Sequence, residues 1–560
     1  MASGRANAEG TRGGANGGAL ERFMEALERA REGRISIEEF SARAREGRNA
    51  LAGDAEGTRV ALERGTPGRL VEALGTVARV KDGSWGGTSE DYAKGMIFTL
   101  QTLINAGMDD SRWLNEAWES KAMMETLASV ASTRGVRAAR AHGLTCLFVD
   151  MCVKDDVTRI AALASDAASA FWRLILIASA DENEPEGVGG GAKLLGLICT
   201  VCCENVGFPK IFFNLSPNGS KLAAMSESKL RARLAALAEE TIDVEALHVS
   251  TLLRYAPEQA TLLHCIAMLM GDKEATSYVD IPRTQIVPGE QAPLLMPEVA
   301  LAFLVQTTSL VAARFAATED ENERNCALSV LMECISILRA VSEREVQPHA
   351  GDTVDCLRRE GLVRLVLSLL AALPPPEGIG QTSKATGPAS APKLEAIVPE
   401  QLQSGIAYPN KVPWAGYRVD LIAILGNACF NRQSVCEDIV ALGGVPIVLN
   451  HTRGHDDEPY LREWTLWTVR NMTNGSDEVR KKIMELQPQA VEQSDELLAR
   501  GLGVELNNES GKPRVFRQKR EESSDGCVTS PITRRNDCEE VAEDDRVDMA
   551  IPSNWSVTEL

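Results

Sequence analysis

The sequence predicts an all-α protein, a right-handed α-solenoid of armadillo- or HEAT-like helical repeats with disordered termini. Three observations carry that prediction. Leu421–Asn427 (Leu-Ile-Ala-Ile-Leu-Gly-Asn) lies on Thr465–Asn471 (Thr-Leu-Trp-Thr-Val-Arg-Asn) at an offset of 44 residues, and the same offset carries Val435 onto Val479, Ile439 onto Ile483 and Leu442 onto Leu486. Helical units that recur at about 40–47 residues are the mark of armadillo and HEAT arrays. Apolar residues in both copies recur three and four apart, which is helical spacing, and no strand-like alternation stands out anywhere. Aromatics are only 5% of a chain that is 44% hydrophobic, so its core is built of short aliphatic side chains rather than the aromatic and β-branched residues of a β fold.

Taken in order, residues 1–18 are rich in Gly, Ala and Asn and read as a disordered tail. Residues 19–373 read as a degenerate helical-repeat solenoid. Helical stretches are expected at 19–52, 68–81, 92–106, 123–133, 137–153, 157–180 and 192–206, with Phe208–Gly219 an excursion because of its two prolines. Helices resume at 226–240, 244–255, 257–270, 297–316, 322–342 and 352–373. Arg359-Glu-Gly-Leu-Val-Arg-Leu-Val-Leu367 resembles Leu442-Gly-Gly-Val-Pro-Ile-Val-Leu449 with the glycine in register, which marks a further repeat start. In the latter a glycine pair ends one helix and Pro446 can sit in the first turn of the next. Residues 374–411 are rich in Pro, Gly, Ala and Ser and read as a mobile insertion. Residues 412–500 hold the best-formed repeats, and 503–560 mix charged blocks with Ser and Pro and read as a disordered tail.

The formal net charge of −20 disfavours nonspecific binding to nucleic acid or anionic membrane and leaves solubility as the plain reading. Thirteen cysteines sit at irregular spacing, many in apolar helical runs, where a free thiol behaves as a small buried hydrophobe. An odd, irregular set is no secreted disulfide framework. The first residues lack a signal-peptide core, and no run suggests the ~18–20 apolar residues of a membrane span. A soluble, cytoplasmic protein without cofactors is expected.

The C-terminal repeats also carry a family resemblance. Gly416-Tyr417 and Asp420-Leu421-Ile422 lead into Leu425-Gly-Asn-Ala-Cys-Phe430. Gly444-Val-Pro-Ile-Val-Leu449, Asp457-Glu-Pro-Tyr460, Glu463-Trp464 and Arg470-Asn-Met-Thr473 follow. In order and spacing this resembles the C-terminal domain of the ataxin-10 family. The resemblance implies an armadillo-like cytoplasmic adaptor, linked to cell survival and cytokinesis and without enzymatic activity.

Residues with chemical potential were weighed individually. Cys199-Thr-Val-Cys202-Cys203 contains a Cys-x-x-Cys, which leaves open metal or redox handling, but a zinc site needs about four ligands and no second pair exists, so burial is favoured. His451, His455, Asp456 and Asp457 cluster before Pro459, in a loop where polar residues belong without a metal. No nucleophile elbow or phosphate loop is present. The candidate protein-binding residues are Trp464, Trp467 and Asn471, with Asn427 at the azimuth of Asn471 one repeat upstream. Trp-x-x-x-Asn on an inner helix resembles the ladder by which armadillo carriers hold basic or extended peptides, the Asn amide donating to and accepting from a peptide backbone. Ala423 stands where a second Trp would, which shortens any ladder. Met472, Thr465, Val469 and Leu466 on the adjoining faces make the better core stripe, and the favoured structural alternative packs both Trp side chains against the neighbouring repeat and has Asn471 bond the turn backbone. Gly426, costly inside a helix, signals close helix approach. The partners expected are other proteins.

Overall fold

In a computed structural model of the protein, the described residues are 18–80, 85, 88–180, 190–217, 254–271, 296–343, 352–376, 399–402, 406–453, 458–485, 499–506 and 513–517, less positions 20, 31, 53, 136 and 206. The chain divides into two units, Met1–Gln487 and Pro488–Leu560.

In the first unit, helix α1 (Ile37–Leu51) is followed by triads of a short, a middle and a long helix. They are α2 (Ala55–Glu63), α3 (Thr66–Arg79) and α4 (Ser89–Asp109), then α5 (Ser111–Trp118), α6 (Met123–Ala131) and α7 (Ala138–Val153). The next is α8 (Val157–Leu163), α9 (Ser169–Ser179) and α10 (Gly190–Ile198), the last running on into a π-helical turn at Cys199–Cys203. Then come α11 (Phe208–Leu215), α12 (Pro257–Gly271), α13 (Glu298–Ala317) and α14 (Glu321–Ser342). Two further triads close the unit: α15 (Thr353–Arg359), α16 (Leu362–Ala372) and α17 (Tyr417–Cys429), then α18 (Gln433–Ala441), α19 (Val445–Asn450) and α20 (Leu461–Gly475), with α21 (Asp477–Glu485) last.

The long helices α1, α4, α7, α10, α12, α14, α17 and α20 stack each on the next as a spine. The middle helices α3, α6, α9, α11, α13, α16 and α19 form a second row in the same way. One hydrophobic core runs from Phe23 to Val479 between the rows. This is the α-solenoid the sequence predicts, and each repeat buries its apolar face only because a neighbour covers it.

Local signals set the triads. Asp54, Asp110, Asp156 and Asp352 open the short helices α2, α5, α8 and α15, their carboxylates accepting from the backbone N–H of Gly57, Arg112, Arg159 and Val354 at 2.9–3.2 Å. Such a cap is worth about 1 kcal/mol. The middle helix α16 starts on Gly361, whose φ of 91° is a conformation glycine adopts without strain, and α19 has Pro446 in its first turn. The shared Gly signal of the two segments thus marks the same element in both repeats.

Several expectations need correction. Phe208–Leu215 is a helix, with Pro209 in its first turn, not an excursion, and its phenylalanines stack edge-on around Phe303. Leu502–Leu506 (β1) and Pro513–Arg517 (β2) in the second unit form an antiparallel hairpin with Val504 opposite Val515, inside a stretch expected to be disordered and in a chain expected to lack strands. By length and apolarity alone α13 and α14 could each cross a membrane, contrary to the sequence reading; 61% and 50% of those stretches are buried in the solenoid. The insertion is not free along its whole length: Pro399, Leu402, Tyr408 and the Gln401 carbonyl contact the helices. The helices expected at 226–240 and 244–255 fall essentially outside the described residues, as do residues 377–398 of the insertion.

Candidate protein-binding surface

The two copies of the 44-residue repeat pack directly on each other as α17 and α20. Gly426 is where they come closest. A Cβ there would fall 2.5 Å from Thr468 Oγ1, so the glycine is required by the approach that its cost in a helix signals. Thr468 Oγ1 donates across the contact to the Ile422 carbonyl at 3.1 Å, and Asn471 Nδ2 donates to the Gly426 carbonyl at 2.9 Å. The buried stripe of α20 is therefore Leu461, Thr465, Thr468, Asn471 and Met472. Leu466, expected in that stripe, is 50% exposed. Polar side chains displace it because Gly426 lets the backbones approach so closely that small hydroxyls, satisfied by carbonyls, fit better than leucine.

The candidate residues separate accordingly. Asn471 is 6% exposed, and its amide is turned into the α17 contact rather than toward a groove. Asn427 makes no equivalent bond; its Nδ2 is buried and has no hydrogen-bond partner among the described residues. Trp464 is half-buried, with the Arg339 guanidinium 5.2 Å from its ring centroid. Arg339 also pairs with Asp420 at 2.8 Å, so one cation links α14, α17 and α20 along the spine. Sequence reasoning missed Arg339, because nothing local marks a partner more than 80 residues away. Trp467 is 38% exposed beside Leu466, and the Arg470 guanidinium stacks 5.3 Å from its ring centroid. The spacing of Arg462, Leu466 and Arg470, each four residues apart, is the signal that could have shown these three on one face.

Behind this surface, Arg418 of α17 is buried among three elements. It donates to the Pro374 carbonyl at 2.7 Å, lies 3.4 Å from His451 Nε2 and pairs with Glu458 at 3.6 Å. His451 Nδ1 is 2.8 Å from the Ile447 carbonyl and must donate to it, which leaves Nε2 as the acceptor for Arg418. Burial, opposed by the Ile447 hydrogen bond and aided by the Arg418 charge, pushes the His451 pKa down to about 4, so the ring is neutral. His451 is thus a packed structural histidine. His455, Asp456 and Asp457 lie outside the described residues.

The returning leg of the insertion crosses the middle-helix row. Pro399 packs against Gly443 just before α19, Arg364 of α16 donates to the Gln401 carbonyl at 2.7 Å, and the Tyr408 and Ser309 hydroxyls, the latter on α13, are 2.8 Å apart. Leu402 is 3% exposed. This strap therefore spans three successive repeats.

Cys199, Cys202 and Cys203 are all buried in the π turn. Burial pushes the Cys202 thiol up, and a hydrogen bond with Cys199 followed by burial does the same for Cys203, which keeps both protonated. Among the described residues no group of three or more His, Cys, Asp or Glu is placed to hold a metal ion.

The architecture defines a helical-repeat solenoid whose last complete triad leaves Leu466 and Trp467 exposed. Comparison with known proteins identifies that triad further. Residues 417–515 match the spinocerebellar ataxia type 10 protein domain. The ataxin-10 homolog of Dictyostelium discoideum is 36% identical over 89 residues, 16% of this chain and 15% of that protein. Ataxin-10 of Xenopus tropicalis is 26% identical over 97 residues, 17% of this chain and 20% of that one. Residues 417–515 thus carry the similarity to the ataxin-10 family, and the match spans a fifth or less of the length of these curated relatives. Among solved structures, UNC-45 from Drosophila melanogaster aligns over 83% of this chain and 66% of that one at 14% identity and a TM-score of 0.18, too low to define a common fold; the fold rests on the helix rows described above.

Proposed function

We propose that this chain is a non-enzymatic, cytoplasmic protein-binding scaffold of the ataxin-10 type, and that its C-terminal repeats carry the binding. The observation behind this reading is that the domain shared with the ataxin-10 relatives contains a spine helix, α20, whose outer face leaves Leu466 and Trp467 exposed. An exposed tryptophan held by a stacked arginine is a ready anchor, since Trp and Arg dominate binding hot spots. A role in cell survival and cytokinesis extends the family resemblance to the whole chain. The reading as a carrier of extended peptides draws no support from Asn471, whose amide is committed to Gly426. Handling of metal or redox chemistry by Cys199, Cys202 and Cys203 draws none from three buried thiols, of which Cys202 and Cys203 are held protonated.

The test is affinity purification from cytosol with the full chain, wild type and Trp467→Ala. Partners retained by the wild type and depleted about tenfold or more on the variant, at an unchanged unfolding midpoint, support the reading. Identical partner sets move the binding surface away from α20.

A further inference from the structure

The open face of α20 has a counterpart inside the molecule that shows what kind of element covers it. At the 44-residue offset, Leu466, Trp467 and Arg470 correspond to Ile422, Ala423 and Gly426 of α17, all of them buried. Ile422 and Gly426 are covered by a helix, α20 itself, through Thr468 and Asn471. A helix is thus what this face receives one repeat earlier. The residues on α20 differ in a directed way. Trp467 and Arg470 replace the small residues that permit the Gly426–Thr468 approach, so a copy of the preceding stack does not fit. Arg462, Leu466 and Arg470 form a basic–apolar–basic stripe, with Glu463 the one acidic side chain on the same exposed face. Arg470 stacks on Trp467 and pairs with no carboxylate among the described residues. Eight residues separate Arg462 from Arg470, about 12 Å along the axis at the helical rise.

We infer that this face docks an amphipathic α-helix of another protein, apolar where it meets Leu466 and Trp467 and acidic at two positions about two turns apart that meet Arg462 and Arg470. The partner helix takes the place that the next long helix of the solenoid would hold, at a wider separation set by Trp467. This deepens the proposed scaffold function and rests on it.

The experiment uses the full chain and two fluorescein-labelled, stapled helical peptides. One presents Glu, Leu and Glu at successive i, i+4 and i+8 positions; the other has Lys in place of both Glu. Fluorescence anisotropy at moderate salt is expected to show the Glu peptide binding about tenfold or more tighter than the Lys peptide. Trp467→Ala weakens the Glu peptide about tenfold, and the pair Arg462→Glu with Arg470→Glu inverts the preference between peptides. Both substitutions are on exposed positions, and circular dichroism confirms the fold. Equal binding of the two peptides, no binding of either, or a preference that survives the charge reversal overturns the inference. So does dimerisation of the full chain that Trp467→Ala abolishes, which makes a second copy the occupant. If cytosolic partners depend on Trp467 but not on the two arginines, the scaffold reading stands and the acidic-helix inference falls.

Discussion

Gly426→Ala tests the close packing at the heart of the C-terminal domain. Helix propensity alone predicts that this substitution stabilises α17 by about 1 kcal/mol. The structure predicts the opposite. The new methyl falls 2.5 Å from Thr468 Oγ1, and that oxygen has little freedom to yield. Threonine is stiff at χ1, and the hydroxyl is held by the Ile422 carbonyl at 3.1 Å and the Trp464 carbonyl at 2.9 Å. Accommodation therefore pushes α17 and α20 apart. Overpacking costs about 1–3 kcal/mol. Stretching the Thr468 and Asn471 bonds adds about 0.5–1.5 kcal/mol for each one lost. Set against the gain in propensity, the net destabilisation with one of the two bonds lost is roughly 0.5–3.5 kcal/mol.

The control is Thr468→Ala. Without the hydroxyl, the nearest Thr468 atoms to the added methyl are the Cα and Cβ at 3.4 Å, ordinary contact. In that background Gly426→Ala becomes neutral or stabilising, so the cycle shows a coupling of about 2 kcal/mol between residues in contact. Guanidinium unfolding followed by circular dichroism measures it, with hydrogen exchange of the α17 and α20 amides placing the change. A higher midpoint for Gly426→Ala in the wild-type background would refute the packing argument.

Three other outcomes are expected. Arg432 grips Asp352 with bonds of 2.6 and 3.1 Å, nearly out of water, so Arg432→Ala should cost about 3–5 kcal/mol and Arg432→Lys part of it; a thermal midpoint unmoved by both variants rules the pair out as a structural tie. His451 is held neutral with a folded pKa of about 4, below the ~6.5 of an unfolded chain, so its contribution is complete above pH 6.5 and falls away as the pH drops toward 4, at up to ~1.4 kcal/mol per unit. His451→Gln should flatten that part of the pH–stability curve, and an unchanged slope would place the acid sensitivity elsewhere. Leu402→Ala, in the strap, should cost about 2–5 kcal/mol and speed amide exchange in α16; exchange unaltered there would mean the strap rests on the solenoid without supporting it.

The solenoid was legible because its signals are local and repeated. The helical period, the 44-residue offset and the glycine before α16 and α19 each rest on patterns in neighbouring or repeated residues. The glycine in α17 was legible for the same reason, since its cost in a helix demands a contact that needs it. What lay beyond reach depends on residues far apart in the chain. The wheel put Asn471 between Trp464 and Trp467 and gave no means of knowing that α17 closes over its amide. Leu466 was assigned to the core because leucine is apolar, whereas the tight approach selected Thr465 and Thr468. The strap has the composition of a linker, yet Leu402 and Tyr408 are supplied with contacts by α16 and α13. The hairpin of the second unit escaped notice because strands of five residues barely establish an alternation.

The strap also bears on the order in which the chain folds. Each helix stack joins neighbours that a ribosome delivers close together, whereas the bond between Ser309 and Tyr408 closes a loop of 99 residues. Closure entropy grows only slowly with loop length, but it can be repaid only once both ends have somewhere to dock. The strap's seat is assembled from α13, α16 and the turn before α19, the last of which emerges after the strap itself. During synthesis the contacts with α13 and α16 can form as soon as the strap emerges, whereas that of Pro399 with Gly443 waits for the following repeat. The last of its three anchors is set only when the C-terminal repeats are complete, so a nascent chain halted before Gly443 would hold the strap by α13 and α16 alone.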